Sequence, residues 1–263
     1  MTATPLVGLI GLGAFGRLAA THLAPHLDLV AHDPAVADLE DVRCVELAEA
    51  ASRNVVILAV PVQLMATVCQ QIAPHLSEGA LVLDVASVKL QPMAAMRDNL
   101  PAGTRILGTH PLFGPQSAAD GLEGQSIVLC PDPGVDPTCV ADVLRDDLRL
   151  EVHLSDADTH DRTMASVQAL THLVSKVITD LDLPSAPYTT RSYDLLKQAA
   201  DLVAGDSDDL FRAIERHNPY AADLRARFFN AARALDGRLG SWLPDTKKPA
   251  RKRACRASGL AIA

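Results

Sequence analysis

Leu6-Val7-Gly8-Leu9-Ile10-Gly11-Leu12-Gly13-Ala14-Phe15-Gly16 is the stretch that decides the fold. A short apolar run leads into Gly-x-Gly-x-x-Gly, and a helical stretch follows to about Leu23. In that context each glycine has a physical task. One makes the tight turn, one lets the backbone approach a pyrophosphate, and one allows close helix–strand packing. The helix then turns its unpaired N–H groups toward the anion. Asp33 stands 17 positions after Gly16, just beyond the next apolar run, Leu27 to Ala31. A carboxylate there accepts hydrogen bonds from ribose hydroxyls and repels a 2′-phosphate. The motif predicts a dinucleotide site made by Gly11, Leu12, Gly13, Ala14, Phe15, Gly16 and Asp33, with Val60 and Pro61 after the third strand. NAD is expected in preference to NADP. The bland alternative for Asp33 is a turn residue before Pro34.

Outward from this turn the pattern repeats. Val55 to Val60, Ala80 to Val85, Arg105 to Gly108 and Ile127 to Cys130 are further short apolar runs, and Gln63 to Leu76 between two of them is helical. Continuous apolar strands separated by helices mean βαβ units and a sheet covered on both faces. Beyond about residue 154 the strand signal stops. Val167, Leu170, Val174, Val177, Ile178 and Leu181 recur at helical spacing. Further helices are expected at Ser192 to Ala204, Asp208 to Arg216 and Pro219 to Leu239, the last capped by Asn218 with proline in its first turn. The fold class is therefore α/β: a Rossmann-type, doubly wound parallel sheet with a second, all-helical domain. The expected division is 1–153 for dinucleotide binding, 154–246 for substrate binding and dimerisation, and 247–263 as a basic, disordered tail.

Bulk properties exclude several classes. The 263 residues are 48% hydrophobic and only 3% aromatic, so the core must come from Ala, Val, Leu and Ile. No apolar run reaches the roughly 18 residues of a membrane span, and the start lacks the basic region of a signal peptide. Five cysteines without C-x-x-C spacing read as reduced thiols in a cytoplasmic protein rather than disulfides or a zinc site. The net charge of −8 includes six positive charges at Lys247, Lys248, Arg251, Lys252, Arg253 and Arg256, so the folded body is more acidic still. That argues against a nucleic-acid-binding face. The basic tail reads as a solvated end, with contact to an acidic partner as the alternative.

Three further segments carry chemistry: Asp84-Val85-Ala86-Ser87-Val88-Lys89, Gly108-Thr109-His110-Pro111-Leu112-Phe113-Gly114-Pro115, and His160-Asp161-Arg162 followed by Ser166-Val167-Gln168-Ala169-Leu170-Thr171-His172. Ser87 and His110 both follow strands, at the carboxyl ends where open α/β sheets bind ligands. A hydroxyl that loses hydride needs a base for its proton, and histidine suits that near neutral pH. Gln168 and His172 are four apart and share one face of a helix. Arg212 follows the acidic turn Asp206-Ser207-Asp208-Asp209. Read from its neighbours alone, it makes a salt bridge with that turn. The acids of that turn read as helix-start residues and no metal is expected.

Taken in order, these segments resemble the prephenate/arogenate (cyclohexadienyl) dehydrogenase family, as does Ala204 to Arg212 with Asn218-Pro219-Tyr220-Ala221; the resemblance covers about residues 6 to 240. It implies oxidative decarboxylation of prephenate to 4-hydroxyphenylpyruvate with hydride transfer to NAD, in tyrosine biosynthesis. It implies His110 and Ser87 as catalytic residues, and His172, Arg212 and Gln168 as substrate-binding residues. The alternatives are an arogenate dehydrogenase giving tyrosine directly, and a dinucleotide-sensing protein without turnover. A third is an imine or β-hydroxyacid reductase; the lack of a convincing catalytic lysine on the first helix of the second domain stands against the hydroxyacid type, with Lys176 as the residue that speaks for it. A homodimer through the helical domain is expected from its surplus apolar positions, including Phe228, Phe229 and Trp242. With no recognisable mutase or regulatory segment, one activity is expected.

Overall fold

The computed structural model describes residues 6–242; the basic tail lies outside the described residues. The chain packs as two units, one up to Arg225 and one from Ala226 onward.

The first unit is built on one eight-stranded sheet in the order β3-β2-β1-β4-β5-β6-β7-β8. In chain order the elements are β1 (Leu6–Ile10), α1 (Ala14–Leu23), β2 (Asp28–His32), β3 (Arg43–Cys44), α2 (Leu47–Ala51), β4 (Val55–Leu58), α3 (Met65–Ile72) and β5 (Leu81–Asp84). They continue with α4 (Leu90–Asn99), β6 (Arg105–Pro111), β7 (Ser126–Pro131), α5 (Thr138–Asp146) and β8 (Glu151–Leu154). All neighbours are parallel except β6 and β7, which pair antiparallel. The expectation of a parallel sheet holds for the rest. The exception arises because the loop from Leu112 to Gln125 returns the chain without a crossover helix, and only an antiparallel neighbour can be reached that way.

Both faces of the sheet are buried. Val56, Leu58 and Val82 pack against Met65, Ile72 and Met96 on one side. Leu9 and Ala31 pack against Ala20 and Leu23 on the other. Each fully buried large aliphatic contributes about 1.5–3 kcal/mol, and this double burial explains why the strands read as unbroken apolar runs. The strand order reverses between β1 and β4, so a crevice opens beyond their carboxyl ends, the usual ligand position of a doubly wound sheet.

The helical part begins with α6 (Ala157–Met164), α7 (Leu170–Asp180), α8 (Arg191–Ala204) and α9 (Asp208–Arg212). Two π-helical turns interrupt the expected α-helices, Ala165–Ala169 between α6 and α7 and Ala213–His217 after α9. The first is closed by the Leu170 N–H donating to the Ala165 carbonyl, five residues back. The last helix, α10 (Ala221–Trp242), crosses from the first unit into the second. Asn218 caps its approach as expected, its Oδ1 accepting the Tyr220 N–H at 2.9 Å.

Candidate functional site

The glycine turn has the form the motif requires. Gly11 lies at φ +101°, and a Cβ there would stand 2.4 Å from the Ala59 carbonyl oxygen, so only glycine fits. A Cβ at Gly16 would stand 2.0 Å from the Gly11 oxygen. A Cβ at Gly13 would meet nothing within 4 Å, which leaves open the side from which a phosphate would approach. Gly13 is the N-cap of α1 and provides no side-chain cap. The first-turn N–H groups, including those of Ala14 and Phe15, are therefore available to an anion. The Phe15 ring itself turns away and packs on Phe113, with centroids 6.2 Å apart.

Asp33 is bound to the turn directly. Its Oδ2 accepts the Leu12 N–H at 2.7 Å and its Oδ1 accepts the Ala35 N–H at 2.8 Å. The turn reading of Asp33 is thus realised. It orders the bend after β2, and its carboxylate sits at the glycine loop with lone pairs left for ribose hydroxyls. Val60 and Pro61 follow β4 beside the turn. The Ala59 N–H donates to the Ile10 carbonyl at 2.8 Å, and Val60 Cγ1 would touch a Cβ at Gly11 at 3.0 Å.

Two strands away, the ends of β5 and β6 carry the second half of the site. The β5–β6 register runs to Asp84 opposite Gly108, so Ser87 and His110 both lie just beyond it. The two strand ends are clamped by a pair that is 0% exposed: the Lys89 ammonium donates to Asp84 Oδ2 and, at 2.5 Å, to the Thr109 carbonyl. Thr109 Oγ1 donates back to the Asp84 carbonyl at 2.6 Å. Burial pushes the Asp84 carboxyl above its ordinary value, opposed by the Lys89 charge and the Ala86 N–H. Ser87 is half-buried on the bend between β5 and α4.

His110 is buried and bonded through Nδ1 to His160 Nε2 at 2.9 Å. His160 Nδ1 in turn meets Asp161 Oδ1 at 2.8 Å. Asp161 also accepts the Lys89 N–H at 2.8 Å and the Leu90 N–H at 3.0 Å, which caps the start of α4. Burial holds His110 well below the usual imidazole range, with smaller lowering influences from its neighbours His160, Lys89 and His172. His110 is thereby kept neutral, the state a base needs. The Asn218 Nδ2 donates to the Asp161 carbonyl at 2.7 Å, the Tyr220 hydroxyl bonds Asp158, and the Arg162 guanidinium lies 4.3 Å over the Tyr220 ring. Two of the segments singled out in the sequence, His160-Asp161-Arg162 and Asn218-Pro219-Tyr220, therefore meet.

The three expected substrate-binding residues fare differently. His172 has both nitrogens engaged, Nδ1 with the Gln168 carbonyl at 2.9 Å and Nε2 with Asp206 at 3.0 Å. Gln168 lies in the π turn before α7 rather than on the same α-helix, and its Oε1 is buried with no partner among the described residues. Arg212 is exposed and bonds Asp209 at 3.2 Å. That is the salt bridge to the acidic turn, and the structure does not bring Arg212 to His110. Sequence reasoning gave no role to Lys89, His160 or Asp161. Only the adjacent His-Asp pair, midway along α6, could have signalled one.

A cavity of about 360 Å³ lies beneath α1 and α5, lined by apolar side chains such as Leu18, Ile57, Leu83, Phe113 and Val140. Its size suits a ligand, yet its walls include none of the relay residues. Thr109 lines it, and strand alternation turns His110 to the opposite face. The buried polar, titratable groups gather on the His110 side.

Fold and site together define a Rossmann-class dinucleotide-binding protein with a buried histidine near the carboxyl end of β6. Residues 28–152 match the family described as prephenate dehydrogenase, nucleotide-binding domain. It is 28% identical over 198 residues to a probable arogenate/prephenate dehydrogenase of Methanocaldococcus jannaschii, covering 71% of this chain and 44% of that protein. It is 33% identical over 173 residues to the chloroplastic arogenate dehydrogenase 1 of Arabidopsis thaliana, covering 63% and 27%. These matches span less than half the length of either relative. The fold is also that of prephenate dehydrogenase from Aquifex aeolicus, solved with hydroxyphenyl propionate and NAD+. The TM-score is 0.67 and the identity 22%, over 89% of this chain and 91% of that one.

Proposed function

We propose that the chain oxidises the ring hydroxyl of prephenate, or of its amino counterpart arogenate, with NAD as hydride acceptor, and that the ring carboxylate leaves as carbon dioxide. The carrying observation is His110: neutral, buried, and at the carboxyl end of β6 in a nucleotide-binding domain of this family. The residues at the glycine turn fit the cofactor, since α1 is uncapped and Gly13 leaves space beside it. Bound there, the nicotinamide supplies the hydride acceptor. His110 takes the hydroxyl proton as the ring carbonyl forms. Loss of the carboxylate as carbon dioxide pushes its electron pair into the ring, and His110 returns the proton to the resulting phenolate oxygen. Ser87 orients the hydroxyl or the base. Positioning the reactants and managing one proton suffice, because aromatisation drives the step.

Gln168 and His172 are assigned to the substrate's polar groups, with Asp206 as the partner His172 exchanges for them. Arg212 grips a carboxylate after leaving Asp209. Residues 1–153 serve the cofactor and 154–246 the substrate and a homodimer contact. Exposed Val167, Leu181, Leu195 and Leu202 in the helical part support such a contact. A cytoplasmic location suits the free thiols. The test is direct: the purified chain is given prephenate or arogenate with NAD or NADP, and the reduced-nicotinamide band is followed. Reduction of NAD with one of the two substrates supports the reading; no reduction with either overturns it.

A further inference from the structure

We propose that His160 and Asp161 are positioning residues that fix the tautomer of His110, holding its hydrogen on Nδ1 so that Nε2 keeps a free lone pair. This rests on the reading of His110 as the base. The order of contacts decides where the hydrogens lie. An ionised carboxylate only accepts, so His160 carries hydrogen on Nδ1, the nitrogen 2.8 Å from Asp161. Its Nε2 is then the acceptor in the 2.9 Å contact with His110, and the donor must be His110 Nδ1–H. The opposite arrangement would need a buried imidazolium at His160. Asp161 already shares its two oxygens with the Lys89 and Leu90 N–H groups, which leaves it suited to a neutral N–H rather than a full positive charge.

The relay is also a closed end. His160 and Asp161 are buried, and the far side of Asp161 is the capped start of α4. A proton accepted at His110 Nε2 has no exit through it. That suits the reaction proposed above, in which the same histidine returns the proton to the oxygen it came from. The Asp161 charge steadies the imidazolium while it lasts and then releases it. The device joins three segments distant in sequence, β6, the middle of α6 and the start of α4.

The test reads hydrogens directly. The full chain labelled with 15N-histidine gives two-bond 1H–15N spectra, with His110 assigned by loss of its signals in His110→Asn. Both His110 and His160 should show protonated Nδ1 and unprotonated Nε2. In Asp161→Asn an amide N–H facing His160 would reverse the chain of donors, and His110 should switch to the Nε2–H form. His160→Phe keeps the bulk and ends the relay. It should lower turnover by on the order of 10²–10⁴ while the KM for substrate and the affinity for NAD stay within a few-fold. A wild-type His110 protonated on Nε2, or His160→Phe with full turnover, overturns the proposal. The tautomers are read without substrate, so a chain inactive on both prephenate and arogenate that still shows them would refute the reaction and leave the relay standing.

Discussion

Replacing Lys89 by methionine is the sharpest test of how the strand ends are held. Lys89 and Asp84 are both 0% exposed, and the ammonium serves the Asp84 carboxylate and the Thr109 carbonyl together. Methionine fills the channel but leaves a carboxylate buried without its counter-charge. Breaking a buried pair in this way costs about 3–5 kcal/mol, out of a total stability of about 5–15 kcal/mol. The pH dependence has a definite sign. Burial already raises the Asp84 carboxyl, and the Lys89 charge is the main influence opposing it, so removing Lys89 raises the carboxyl further. A folded-state carboxyl above its unfolded value takes up its proton first as pH falls, so stability is regained in that window. The deficit of Lys89→Met should therefore shrink between neutral pH and about pH 4. Adding Asp84→Asn removes the stranded charge and should recover stability to within about 1 kcal/mol of the parent. Urea unfolding followed by circular dichroism gives all three values. A Lys89→Met loss below about 1 kcal/mol, or no rescue by Asp84→Asn, would refute the reasoning.

Other expectations are briefer. Gly16→Ala forces a methyl to within 2.0 Å of the Gly11 oxygen, so NAD affinity measured by fluorescence titration should fall at least about tenfold; unchanged affinity would remove the glycine turn from the site. Asp33→Ser should narrow the preference for NAD over NADP, and an unmutated chain that uses both cofactors equally would contradict the role of that carboxylate. If Arg212 leaves Asp209 for the substrate, Arg212→Ala should raise the substrate KM on the order of tenfold or more, from loss of charged hydrogen bonds worth about 1.5–3 kcal/mol each. A KM that does not move would return Arg212 to the exposed pair with Asp209.

What could be read from the sequence was local. The glycine turn was legible because Gly11 and Gly16 stand where a Cβ would collide and Gly11 also needs a left-handed φ, and those demands act within a few residues. The apolar runs of β1, β4 and β5 were legible because burial on both faces leaves no polar position. β3 and β8 were not. β3 is two residues long, and of β8 only Val152 escapes full exposure, so neither carries an apolar pattern. The π turns were hidden because one extra residue per turn shifts helical periodicity without erasing it. Gln168 and His172 were consequently placed on one α-helical face. The relay could not be read at all. His110 and His160 are 50 residues apart, and Asp161 meets Lys89 across 72. Lys89 resembles an ordinary solvated lysine at a helix start until the fold closes over it.

In the reaction proposed above, His110 is the proton acceptor of a dinucleotide-linked oxidation. That role is tested most directly by kcat/KM across pH for the unmutated chain and His110→Asn, with NAD and whichever of prephenate or arogenate is turned over. Burial, with a smaller influence from neighbouring groups, holds His110 below the ordinary imidazole value. The neutral base should thus persist as pH falls through about 6.5, and the acid limb should appear only below it. His110→Asn should lower turnover by roughly 10²–10⁴ and abolish that limb, with NAD affinity near normal. Near-normal turnover in His110→Asn, with the same pH profile as the parent, would contradict the claim.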